Sequence, residues 1–156
     1  MMTTSIKDKN ELIKDSTYVV FDEAKCLKLK AIAKDYLHYQ IGQHSTTKEF
    51  ALCITGNDNA GLHSKEWISF NAIHTLLSQY TGDFRSSIFT PLFQSKSRNN
   101  VGFLVAVLKS DEIGLLKQAV GYQFQYCKVE QYEERLATLH RQWEGLTKGK
   151  GNQTVK

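Results

Sequence analysis

The sequence has little proline, little cysteine and no long apolar run. One proline among 156 residues argues against a proline-rich linker or a disordered chain. Three cysteines, an odd number and far apart, do not suggest a disulfide framework, so we expect reduced and mostly buried thiols. No stretch approaches the roughly 18 apolar residues of a membrane span, and the N-terminus has no apolar signal segment. We therefore expect a cytoplasmic protein without a membrane anchor, and the scattered histidines predict no metal site.

Acidic residues are absent from one long stretch of the chain. Between Phe84 and Ser110 there is no Asp or Glu, whereas Arg and Lys occur four times. The net charge of +4 includes three lysines of the last ten residues, so the rest of the chain is almost neutral. Overall basicity therefore says little about partners, and only the local gap in acids suggests contact with a polyanion.

Length and composition predict one domain. A chain of 156 residues with 41% apolar and 23% charged content is large enough for one core of its own. We assign residues 1–14 to a flexible N-terminus, 15–146 to a single α+β domain and 147–156 to a disordered basic tail. The order of the elements predicts a mixed sheet of four or five strands, with three main helices packed mainly on one face.

The beginning of the domain allows two interpretations. Residues 17–21 are β-branched and aromatic, which favours a short strand, although a helix that starts at Ser16 is the alternative. Apolar residues at helical spacing then predict a helix over residues 21–41. Gly42 is expected to end this helix.

The next segments have clearer patterns. A compact apolar run predicts a strand over residues 48–55, and the Gly- and Asn-rich residues 56–61 predict a turn. Aromatic and aliphatic residues at helical spacing predict a helix over about residues 65–80. Ser64 is its expected N-cap.

A polar run in the second half, FQSKSRNNVGF, lies between two apolar segments. These segments predict strands over residues 84–93 and 101–109, the first irregular because of Pro91 and the second buried in the sheet. The polar run between them is then the tip of a basic hairpin. After it we expect a short helix, a strand and a final helix, over residues 110–118, 120–129 and 130–146.

The predicted hairpin tip carries groups that contact nucleic acids. Lys and Arg neutralise phosphates, Ser donates hydrogen bonds to them, and Asn pairs with an adenine edge. A two-stranded ribbon of this kind can enter a nucleic-acid groove. An ordinary solvated hairpin loop has the same composition, which is the competing interpretation. The candidate nucleic-acid-binding residues are Arg85, Ser95, Lys96, Ser97, Arg98, Asn99, Asn100 and Lys109.

Two other groups of residues could carry a function. Tyr122, Phe124 and Tyr126 alternate along the predicted strand, which is typical of core residues and less often of a stacking platform for bases. Asp58 and His63 share a Gly-rich loop, but neither a nucleophile elbow nor a phosphate-binding loop accompanies them. We interpret this pair as solvated turn residues.

These patterns favour a non-catalytic DNA-binding accessory protein that docks through the basic hairpin. It would mark a site for a larger machinery of replication, DNA transfer or regulation, with no cofactor of its own. The alternative is a protein-interaction module, an inhibitor or adaptor, without nucleic-acid contact. A larger protein partner and a homodimer are compatible with the first hypothesis, because pairing increases affinity and site length.

Overall fold

The computed structural model describes residues 17–29, 35–58 and 63–155, with side chains of the last helix as far as Lys148. Strands and helices follow one another with short connections, which confirms the predicted α+β class. The predicted flexible segment 1–14 lies outside the described residues. The described elements are β1 (Tyr18–Leu27), β2 (Tyr36–His44), β3 (Phe50–Asn57), β4 (Trp67–Ser69), α1 (Phe70–Leu77), a 3-10 helix (Ser86–Leu92), α2 (Asn99–Lys109), β5 (Leu116–Gln118), β6 (Tyr126–Lys128) and α3 (Tyr132–Val155).

Strands β1 to β4 form one sheet, in which they lie side by side in chain order. Tyr39 in the middle of β2 is opposite Ala24 of β1 and Ile54 of β3. A register shift between Val20 and Asp22 marks a β-bulge in β1. Strands β5 and β6 pair separately. The larger sheet has four strands, as predicted, but its pairs are antiparallel, whereas the sequence predicts a mixed sheet.

The predicted helix over residues 21–41 is wrong, because β1 and β2 occupy most of this segment. The strand predicted at 17–21 is confirmed as the beginning of β1. Leu37 and Tyr39 of β2 are buried while the residues beside them are partly exposed, which is the period of a strand. Gly42 lies inside β2 instead of ending a helix.

Strand β3 confirms the strand predicted at residues 48–55. The helix predicted over residues 65–80 is shorter, since its first part is β4 and only α1 is helical. The N-cap is Ser69, whose hydroxyl accepts the N–H of Ala72 at 3.2 Å, and not Ser64.

Both strands predicted around the polar run are wrong, and so is the hairpin. The first is the 3-10 helix, which contains Pro91, and the second is α2. Five successive residues of α2, from Leu104 to Leu108, are buried, so this part of the helix is enclosed on all sides and its sequence shows no helical period. The first half of the polar run is the loop that leads into α2, and its second half, from Asn99, is the beginning of that helix.

The short helix predicted at residues 110–118 and the strand predicted at 120–129 are wrong over most of their length. Strands β5 and β6 have three residues each, and the loop between them turns at Gly121, whose φ is +82°. Helix α3 confirms the helix predicted over 130–146. The helical backbone continues to Val155, through most of the segment 147–156 for which the composition predicts a disordered tail. The predicted limits of the domain, residues 15 and 146, stay a prediction.

The main core lies between one face of the larger sheet and the three α-helices. The ring of Trp143 in α3 lies 5.4 Å from that of Phe50 in β3 and 4.7 Å from that of Phe70 in α1, measured between centroids. Leu104 and Leu108 of α2 are fully buried in the same cluster. Packing on several sides therefore fixes the position of α2, which carries the candidate site.

Candidate nucleic-acid interface

The eight candidate residues fall into two groups at opposite ends of α2. Arg98 directly precedes the helix and Lys109 is its last residue. A rise of 1.5 Å per residue separates these two positions by about 16 Å along the helix axis. The first group comprises Ser95, Lys96, Ser97, Arg98, Asn99 and Asn100, and the second comprises Arg85 and Lys109.

One face of α2 connects the two groups. Arg98 has helical backbone angles, with φ −61° and ψ −26°. At 3.6 residues per turn, Arg98, Gly102 and Lys109 lie within an arc of about 40°. A Cβ at Gly102 would meet nothing within 4 Å, so space is open between the two cations.

A cavity of about 400 Å³ opens beside the Lys109 end of this face, and we call it the Lys109 cavity. Among the described residues, its lining contains no Asp or Glu. Within the described side chains, ion pairs join Lys28 to Asp35 and His38 to Asp58, and neither pair involves Lys109. Lys109 also borders a neighbouring cavity, and the carboxylates of Asp111 and Glu112 line that second cavity. The lining residues are Leu29, Ser86, Gly102, Lys109, Gln118, Gln123, Phe124 and Tyr126.

The loop between β5 and β6, residues 119–125, forms one side of the cavity, and we call it the aromatic loop. The side chains of Tyr122 and Phe124 are 57% and 50% exposed, whereas Tyr126 is 5% exposed. The alternation of the three rings predicts a core position for each, which is correct only for Tyr126. Tyr122 and Phe124 instead expose about half of their surface.

A backbone bridge positions the aromatic loop beside the acid-free stretch. The N–H of Phe84 donates to the carbonyl of Tyr126 at 2.8 Å, and the N–H of Tyr126 donates back at 2.7 Å. Two residues after Phe84, Ser86 lines the cavity together with Phe124. Sequence reasoning missed this neighbourhood, since no local pattern reports a pairing between segments about 40 residues apart.

Asn100 belongs to the interior of the loop and not to its contact surface. Its side chain is 3% exposed. The carboxamide oxygen accepts the N–H of Ser64 at 2.7 Å, and the amide nitrogen donates to the carbonyl and hydroxyl oxygens of Ser95 at 3.1 and 3.3 Å. These bonds occupy the groups that would read a base, so Asn100 and Ser95 hold the loop in shape.

An acid that is distant in sequence lies against the Lys96 end of the site. The carboxylate of Glu66 accepts the N–H groups of Gln94 at 2.9 Å and Ser95 at 3.1 Å, and also a hydrogen bond from the Ser64 hydroxyl. Partial burial opposes ionisation, but these hydrogen bonds outweigh it and lower the pKa of Glu66. The loop around Lys96 therefore has an ionised acid beside it, while no acid is among the described residues that line the Lys109 cavity.

Asp58 and His63, which share a loop in the sequence, have different partners in the structure. Asp58 accepts a hydrogen bond from Nε2 of His38 at 2.9 Å, and this bond lowers the pKa of Asp58. His63 instead contacts the ring of Phe103, with 5.7 Å between centroids. The side chains of His38 and Asp58 are 45% and 40% exposed. The pair therefore lies at the surface, where it connects β2 to the residue that follows β3.

The described cysteines are unpaired, and two of them, Cys26 and Cys53, are buried, as the sequence predicts. Burial raises the pKa of each of these two thiols to about 11. Among residues 17–29, 35–58 and 63–148, no three His, Cys, Asp or Glu side chains are grouped so that they could hold a metal ion. In the same part of the chain, no helix has the length and apolar character needed to cross a membrane.

Comparisons with family models, with curated protein sequences and with solved structures return no match. Among the described residues, the lining of the Lys109 cavity combines a cation, the half-exposed ring of Phe124 and two carboxamides, without an acid.

Proposed function

We propose that this chain is a non-catalytic, DNA-binding accessory protein whose contact surface runs along α2 from Arg98 to the Lys109 cavity. The observation that carries the proposal is the cavity itself: Lys109 and the half-exposed ring of Phe124 both line it, and no acid is among the described residues of its lining. This surface replaces the hairpin that the sequence predicts, because the segment is helical.

The residue types along this surface match those that bind nucleic acids. Lys109, Arg98 and Arg85 would neutralise phosphates, and Tyr122 would offer a ring to a base. Lys96, Ser97 and Asn99 lie at the far end and would add contacts to the backbone of the nucleic acid. The carboxylate of Glu66 weakens the positive potential at that end, so we expect the Lys109 end to contribute more to affinity.

The proposal keeps the accessory role. A protein that binds DNA without a reaction of its own would mark a site for a larger replication, DNA-transfer or regulatory machinery in the cytoplasm.

The test is the salt dependence of DNA binding, measured by fluorescence anisotropy of labelled DNA at several salt concentrations. Each cation that neutralises a phosphate adds about one unit to the logarithmic salt slope, so Lys109→Gln and Arg98→Gln should each reduce the slope by about one. The matched control is Lys48→Gln, an exposed lysine on the turn between β2 and β3, which should leave the slope unchanged. An affinity that does not depend on salt, or a double variant that binds as well as the wild type, would exclude this surface.

A protein-interaction module is the second candidate function, and one observation favours it. Val120, at the tip of the aromatic loop, is 91% exposed next to the exposed ring of Tyr122. Exposed apolar side chains of this kind are common at protein interfaces. If the loop binds a protein, Val120→Ser should abolish partner binding while Lys109→Gln leaves it intact.

A further inference from the structure

We infer that the Lys109 cavity takes one unstacked base of a single-stranded nucleic acid, so that the preferred ligand is single-stranded. The inference rests on the proposed function and makes it specific. It follows from the size of the cavity, the chemistry of its lining and the exposure of its rings.

The size of the cavity suits a base with part of its sugar. Its volume of about 400 Å³ lies at the lower end of the usual range for small-molecule sites, which is about 300–1,000 Å³. A base inside a duplex is stacked on both faces and paired on its edge, so it cannot enter a cavity without leaving the helix. A single strand offers its bases without this cost.

The polar lining suits the pairing edge of a base. Gln118 and Gln123 both line the cavity, and neither carboxamide makes a hydrogen bond to another described side chain or backbone group. Each carboxamide provides two donors and one acceptor, the same kinds of group that a base uses in pairing. Such edges are accessible only when the base is unpaired.

The charge and the rings complete the set of contacts. Lys109 lies at the end of α2 in the same lining, where it would meet the phosphate next to the bound base. Phe124 lines the cavity with half of its surface exposed, and this exposed part of the ring would stack on the bound base. One nucleotide would thus contact a cation, an aromatic ring and a carboxamide at once.

The experiment measures the binding of three labelled ligands of about 12 nucleotides to the full chain by fluorescence anisotropy. The ligands are a single strand, a duplex of the same sequence, and a single strand whose nucleotides lack their bases except at the labelled end. We expect the single strand to bind at least about tenfold more tightly than the duplex. Phe124→Leu should weaken single-strand binding at least about fivefold, the lower limit for loss of one stacked base, and should leave binding of the abasic strand unchanged. Gln123→Leu should act in the same direction.

Each outcome supports or overturns the inference. If duplex and single strand bind equally, or if Phe124→Leu weakens the abasic strand as much as the normal one, the inference is wrong although DNA binding stands. If none of the three ligands binds, or Lys109→Gln changes none of the affinities, the proposed function itself fails. The exposed positions of Phe124 and Gln123 predict that both variants fold, which thermal unfolding followed by circular dichroism checks.

Discussion

The indole ring of Trp67 stacks on the ring of Tyr18, with 4.6 Å between centroids and 13° between planes. Trp67 belongs to β4 and Tyr18 to β1, so the contact spans the sheet from one edge strand to the other. The indole ring of Trp67 lies over Gly42 of β2. A Cβ added at Gly42 would lie 2.9 Å from this indole and 3.1 Å from the carbonyl oxygen of Val19. The glycine therefore makes room for the stacked pair.

Gly42→Ala should destabilise the protein by about 1–3 kcal/mol, the usual cost of overpacking, because neither the stacked indole nor the backbone can move away freely. Gly145→Ala is the matched control. It lies in α3, where a Cβ meets nothing within 4 Å, and alanine should stabilise the helix by about 0.5–1 kcal/mol. Urea unfolding of the two variants checks both signs. A Gly42→Ala variant as stable as the wild type would show that the indole is not held in this position.

Asn100→Ala should destabilise the protein by about 1–3 kcal/mol, because it leaves the buried N–H of Ser64 without an acceptor. The control is Asn71→Ala, which removes an exposed amide that donates to Glu49 at 3.0 Å and should cost less than about 0.5 kcal/mol. Urea unfolding again provides the measurement. Equal effects of the two substitutions would contradict the buried role of Asn100.

Alkylation should distinguish the three cysteines. Burial and a raised pKa of about 11 protect Cys26 and Cys53, whereas Cys127 is only half-buried. At pH 8 we expect iodoacetamide to modify Cys127 first and the other two only after unfolding in urea, as mass spectrometry of the digested protein would show. In the control variant Cys127→Ser the folded chain should stay unmodified. Early modification of Cys26 or Cys53 would contradict the packing of β1 or β3.

The sequence predicted some elements well because their local patterns have one interpretation. The compact apolar run of β3 and the helical spacing of α3 are of this kind. Residues 21–41 are different, since helical spacing and the alternation of Leu37 with Tyr39 coexist in one segment. The segment is a strand because β2 forms hydrogen bonds with both β1 and β3, and this pairing depends on tertiary contacts that the local sequence does not report.

Part of the candidate site could also be read from the sequence. The acid-free stretch assigned Arg85 and Lys109 to one candidate interface built on a two-stranded ribbon, but a buried helix replaces that ribbon. A continuous apolar run fits a buried strand and a buried helix equally well. The place of Phe124 at the cavity and of Glu66 at the loop depends on long-range contacts, which no local pattern reports.

Acid should weaken the packing of α3 through His140. Its ring lies 5.5 Å from that of Phe50 and 5.9 Å from that of Trp143, between centroids, and its buried Nε2 has no hydrogen-bond partner among the described residues. Burial lowers the pKa of His140, Glu144 opposes this shift and His74 adds to it. The unfolded chain, with an ordinary pKa of about 6.5, therefore binds the proton more readily than the folded one. The contribution of neutral His140 to the free energy of unfolding is therefore fully present above about pH 6.5. It declines as the pH falls towards the lowered pKa of the folded state.

His140→Phe should remove this part of the pH dependence, because phenylalanine keeps an aromatic ring between Phe50 and Trp143 but binds no proton. Urea unfolding between pH 8 and pH 5 measures the effect, and the variant should lose less stability than the wild type over that interval. The control His63→Phe, which changes a histidine packed on Phe103 away from α3, should keep the wild-type response at His140. If His140→Phe loses as much stability on acidification as the wild type, His140 is not buried as a neutral ring, and α3 does not pack on β3 in the way that its contacts with Phe50 require.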